Sequence, residues 1–73
     1  MLDTLIIYGK DNCPHTKRAR EANPEHVYIN VLENEEGLQA MLKLSGGLRR
    51  VPVLARRTNH GDELVSVGFN RGS

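Results

Sequence analysis

Leu5-Ile6-Ile7-Tyr8-Gly9-Lys10-Asp11-Asn12-Cys13-Pro14-His15-Thr16-Lys17-Arg18-Ala19 reads as a strand, a loop and the start of a helix. The apolar run Leu5 to Tyr8, ended by Gly9, suits a strand buried on both faces. Asn12-Cys13-Pro14 has the form of a helix start, because proline is favoured at the first helical position, where its missing N–H costs nothing. The helix is predicted to end near Ala22, since Pro24 disfavours the helical conformation at Asn23. Its apolar content is thin, Ala19 and Ala22 alone. Cys13 is the one cysteine of the chain and falls at or just before the helix N-terminus. Unsatisfied N–H groups there favour a thiolate, and Lys10, His15, Lys17 and Arg18 are close in sequence. An isolated cysteine is more often a small buried hydrophobe. Flanked by Asn12 and Pro14, however, Cys13 is poorly placed for a core.

Working outward, Val27-Tyr28-Ile29-Asn30-Val31 is β-branched and aromatic, and predicts a second strand. Asn34 is a good N-cap, Glu35 and Glu36 suit a first helical turn, and Leu38, Met41 and Leu42 recur at helical spacing before Gly46 and Gly47. Val51-Pro52-Val53-Leu54-Ala55 predicts a third strand, with its proline near the start. Asn59-His60-Gly61-Asp62 is a turn signal, and Leu64-Val65-Ser66-Val67 a fourth strand joined as a hairpin and ended by Gly68. The order β-α-β-α-β-β implies one parallel pair with a right-handed crossover and an antiparallel hairpin added to the same sheet. That is an α/β domain with a mixed four-stranded sheet, spanning residues 1–73.

Seventy-three residues make one small domain. No apolar run approaches the ~18–20 residues of a membrane span, and Leu5 to Tyr8 is too short for a secretory leader. One cysteine excludes an intrachain disulfide framework, so the expected setting is reducing and cytoplasmic. Three aromatics and a net charge of +1 argue against nucleic acid. Charge is nonetheless segregated. Residues 10–20 carry Lys10, Lys17, Arg18 and Arg20 against Asp11; residues 21–36 carry five glutamates and neither lysine nor arginine; residues 37–57 carry Lys43, Arg49, Arg50, Arg56 and Arg57 and no acid. Such blocks are solvated faces, or else the two basic ones converge on a site; the sequence leaves both open. His26 and His60 show no ligand spacing, and one soft ligand does not make a mononuclear metal site, so no metal is expected.

Tyr8-Gly9-Lys10-Asp11-Asn12-Cys13-Pro14-His15-Thr16 resembles the active-site loop of glutaredoxins, in which a lysine lies three residues before a Cys-Pro-aromatic-Cys motif that opens the first helix. Arg49-Arg50-Val51-Pro52-Val53 looks like the family's Thr-Val-Pro segment, whose proline is cis and lies against the cysteine. Ser66-Val67-Gly68-Phe69-Asn70-Arg71 looks like the segment after the last strand. Gly9-Lys10-Asp11, the residue at 13, Pro14, Thr16 and Lys17-Arg18-Ala19-Arg20 are most similar to the small glutaredoxin-like group called UXX-star. In many of its members selenocysteine stands where this chain has Cys13. Either this is a cysteine-containing relative or a selenocysteine has been replaced.

The resemblance implies a thioredoxin-like fold, with Cys13, Lys10 and Thr16 as catalytic residues and Pro14, His15, Arg50, Val51, Pro52, Gly68 and Phe69 as the substrate groove. Arg49 is the alternative to Arg50 for gripping a carboxylate. Three departures shape the expectation. Thr16 replaces the second cysteine, so no internal disulfide forms, and its hydroxyl is a candidate donor to a Cys13 thiolate. Gly68-Phe69-Asn70-Arg71 replaces the Gly-Gly and acidic residues that bind the amino end of glutathione, and is more similar to the Gly-Phe segment of glutaredoxin-like electron donors of ribonucleotide reductase. The family's last helix is expected to be missing, which leaves Leu54, Val65 and Phe69 as candidates for exposure and a weak homodimer as one way to cover them. The function implied is a monothiol thiol–disulfide oxidoreductase with no tightly bound cofactor. Its partners are a disulfide-bearing protein or small thiol, with glutathione, another thiol or a reductase as electron source. The alternatives are a carrier bridging an iron–sulfur cluster between two chains, or a peroxide reductase if residue 13 is natively selenocysteine.

Overall fold

The computed structural model describes residues 4–68. Strand β1 is Thr4–Gly9, helix α1 Pro14–Ala22, strand β2 His26–Asn30, helix α2 Glu35–Ser45, strand β3 Val53–Thr58 and strand β4 Gly61–Val67. The sheet runs β2-β1-β3-β4, with β1 parallel to β2 and the other pairs antiparallel. The expected order and mixed sheet are therefore present, with two helices among the described residues.

Strands β3 and β4 differ most in extent from the sequence reading. β3 starts at Val53, after Pro52, which has no N–H for the ladder, and it continues through Arg56 and Arg57. β4 starts at Gly61 rather than Leu64. Arg56 faces Glu63 and Arg57 faces Asp62 across the hairpin, so opposite charges continue a pairing that the apolar pattern does not mark. Arg57 grips Asp62 with Nε–Oδ1 at 2.9 Å and Nη2–Oδ2 at 3.2 Å. The loop shrinks to Asn59-His60, and Gly61 at φ 113° takes the left-handed conformation that closes it.

Each face of the sheet carries one helix. Ile6, Tyr8, Val31, Val53 and Ala55 pack with Met41 of α2, and Leu38, Ala40, Leu42 and Leu44 add to that layer. Ile7 and Leu54 pack with Ala19 of α1 on the other face, joined by Leu5 and Tyr28. Leu54 is thus buried, against expectation, because it lies opposite Ile7 on an inner strand directly under Ala19. Val65 is 47% exposed, and it occupies an irregularity: Leu54 pairs with Ser66 but Ala55 with Leu64, leaving Val65 unmatched. Phe69 lies outside the described residues.

Candidate functional site

The loop from β1 delivers Cys13 to the N-cap of α1, with Pro14 opening the helix. Cys13 has extended backbone angles; its N–H donates to the Lys10 carbonyl at 3.4 Å and its carbonyl accepts from the Lys17 amide at 3.0 Å. These bonds close the loop into a turn and hand it to the helix. Cys13 is 4% exposed. Burial pushes it up, but the Thr16 amide, the Thr16 hydroxyl, the His15 amide and the Lys10 charge together hold it below the ordinary thiol value. The cover is thin, since Cys13 also lines an open cavity of about 400 Å³.

Lys10, Asn12, Pro14 and His15 form one wall of that cavity, and Arg49, Arg50 and Val51 the other. Lys10 of the first basic segment and Arg49 and Arg50 of the second therefore meet around the cysteine, whereas Lys17, Arg18, Arg20, Lys43, Arg56 and Arg57 do not line this cavity. The Val51–Pro52 peptide is cis. Pro52 is buried, and its carbonyl accepts from the Gly68 amide at 2.7 Å, which brings the end of β4 to the same segment. Of the residues expected at the site, Lys10, Cys13, Pro14, His15, Arg50 and Val51 line one cavity, together with Arg49. Thr16 lines the neighbouring cavity beside α1, which shares Lys10 with this one, and Pro52 and Gly68 are joined by that hydrogen bond. Asn70 and Arg71, like Phe69, fall outside the described residues.

Thr16 is 1% exposed, and its buried Oγ1 has no hydrogen-bond partner among the described residues. The fold leaves this hydroxyl over, and an ionised Cys13 sulfur is the group it lowers in pKa. His15 Nδ1 is likewise buried and has no partner among the described residues.

Two contributions were not legible as site residues. Gly9 ends β1, and a Cβ there would come within 2.4 Å of Thr16 Cγ2 and 2.7 Å of Oγ1. Thr16 can sit under the cysteine because Gly9 has no side chain. The second is Asp11, whose Oδ1 accepts from the Tyr28 hydroxyl at 2.8 Å. Both depend on contacts between elements, which periodicity does not report.

Among the described residues no helix is long and apolar enough to cross a membrane. Searches of curated proteins and of solved structures each found no match. The family model for glutaredoxin matches residues 5–60, from the first strand to the tip of the last hairpin and across the whole cysteine loop. On that match the chain belongs to the glutaredoxin family, whose members are generally thiol–disulfide oxidoreductases.

Proposed function

We propose that the protein is a monothiol thiol–disulfide oxidoreductase working through Cys13. The observation that supports this best is a thiol held below its ordinary pKa in a cavity lined by Lys10, Arg49 and Arg50, in a chain with one cysteine. The Cys13 thiolate attacks one sulfur of a disulfide or a glutathionylated thiol. One S–S bond forms as the other breaks, and the departing thiolate takes a proton from water. With no second cysteine, an external thiol such as glutathione attacks the mixed disulfide and releases Cys13. Lys10 and Thr16 favour the thiolate; Pro14, His15, Val51 and Pro52 shape the groove; Arg50 and Gly68 meet the substrate, and the sequence resemblance adds Phe69. The loop's similarity to the UXX-star group favours that branch of the family.

Incubating the reduced protein with glutathione disulfide should add one glutathione per chain by intact mass, and Cys13→Ser should abolish the adduct. Thr16→Cys should lose the adduct and form an internal disulfide instead, because the two positions lie one helical turn apart. No adduct with either glutathione disulfide or a protein disulfide, on folded and reduced protein, would overturn the redox reading. Visible absorbance after anaerobic purification would replace it with the cluster carrier.

A further inference from the structure

We propose that Tyr28 is a positioning residue for Cys13: it holds the Asp11 carboxylate on the far side of the cysteine loop, out of the cavity in which the thiolate forms. The inference rests on the reading of Cys13 as a thiolate nucleophile.

Asp11 is the one acid in the basic stretch 10–20. Both its neighbours, Lys10 and Asn12, line the Cys13 cavity, and Asp11 does not. It lines instead a second cavity of about 440 Å³ beside α1, shared with Lys10, Thr16, Lys17, Arg20, Glu21 and His26. Tyr28, reaching from β2, fixes that choice with its 2.8 Å bond to Asp11 Oδ1. The Tyr28 ring is itself held. It packs against the Ile7, Ala19 and Leu54 layer, and the Arg20 guanidinium lies 3.9 Å from its centroid. Arg20 is fixed in turn, since its Nε donates to His26 Nε2 at 3.2 Å. The His26 Nδ1–H donates to the Asn23 carbonyl at the end of α1. A continuous set of contacts thus runs from the C-terminal end of the helix to the loop at its N-terminal end.

Electrostatics gives the arrangement its purpose. The groups lining the cavity with the sulfur are Lys10 and His15 from its own loop and helix, and Arg49 and Arg50 from the segment before β3. A carboxylate swung into that cavity would set a negative charge beside the sulfur and repel the thiolate, which raises the thiol pKa. Burial, the bond to Asp11 and its charge push the Tyr28 phenol up to about 12, so it remains a donor throughout the working pH range.

The test compares two alkylating reagents of one chemistry, neutral iodoacetamide and anionic iodoacetate, on Cys13 across pH. Tyr28→Phe keeps the ring and removes the bond. It should raise the pH midpoint by about half a unit, roughly a threefold loss of thiolate below the midpoint. It should also lower the iodoacetate-to-iodoacetamide rate ratio about threefold, an effect that shrinks in high salt. Asp11→Asn in the Tyr28→Phe background should restore both readouts, and Asp11→Asn alone should leave the midpoint at or below wild type. A wild-type midpoint at the free-thiol value would sink the parent reading before Tyr28 is reached. With that reading intact, an unchanged Tyr28→Phe, a defect that Asp11→Asn does not restore, or a midpoint raised by Asp11→Asn alone would each overturn the positioning role.

Discussion

Thr16 occupies the position from which a second thiol would act, and it is buried with a hydroxyl left without a hydrogen-bond partner among the described residues. Thr16→Val keeps the shape and removes the donor. A hydrogen bond to a charged group is worth about 1.5–3 kcal/mol, and a pK unit corresponds to about 1.4 kcal/mol. The variant should therefore raise the Cys13 alkylation midpoint by about one unit, while Thr16→Ser should leave it in place. The same shift has a stability signature. The folded-state thiol value is lowered, so its contribution is full above the free-thiol range and is lost as pH falls through the folded value. Denaturant midpoints of wild type minus Cys13→Ser should show that rise across the alkaline limb. Cysteine, proline and lysine were legible because their chemistry is local: a helix start and nearby charge. Gly9 was read as the end of a strand, which it is, but its reason is contact with Thr16. The useful signal would have been a glycine with no turn to make, seven residues before a threonine on the first helix.

Helix α2 sits where two physical rules disagree about one residue. Gly37 is in its first turn, where its amide donates to Asn34 Oδ1 at 2.9 Å. Helix propensity says Gly37→Ala should stabilise by about 1 kcal/mol. Packing says otherwise, since a Cβ at Gly37 would lie 2.4 Å from Ile29 Cγ2 on β2. Ile29 is β-branched and stiff, so the strand or the helix must shift, and overpacking of this kind costs about 1–3 kcal/mol. Packing wins, and thermal unfolding should show Gly37→Ala to be less stable than wild type. The cap of this helix and its Gly46 end were readable, because Asn34, Glu35, Glu36 and Gly46 act within one turn. The length of the β3–β4 hairpin was not. Its distal half is held by Arg57–Asp62 and by Arg56 opposite Glu63, and alternating charges carry no apolar period.

Across the molecule the two sheet faces are unequally covered. α2 brings Met41, Leu38, Ala40, Leu42 and Leu44 to its side, whereas Ala19 is the apolar side chain that α1 buries. The weak apolar pattern of residues 14–22 was visible in the sequence; that Thr16 would complete the buried stripe in place of Ala22 was not. Since few buried apolar contacts mark low local stability, backbone amides of α1 should exchange with solvent faster than those of α2 and of the inner strands β1 and β3. Equal protection of the two helices under native conditions would show that the polar contacts of Arg20, Tyr28 and Asp11 compensate in full. The irregularity at Val65 also bears on how these molecules meet each other at high concentration. β4 lies at the edge of the sheet, and an unbroken, uncharged edge is a template on which further strands can grow. Here the row of hydrogen-bonding groups is interrupted at Val65, and its opening residues include Asp62 and Glu63. With a net charge of +1, whole-molecule repulsion offers little protection against fibre growth. A kinked, acidic border supplies that protection locally, where an incoming strand would have to dock.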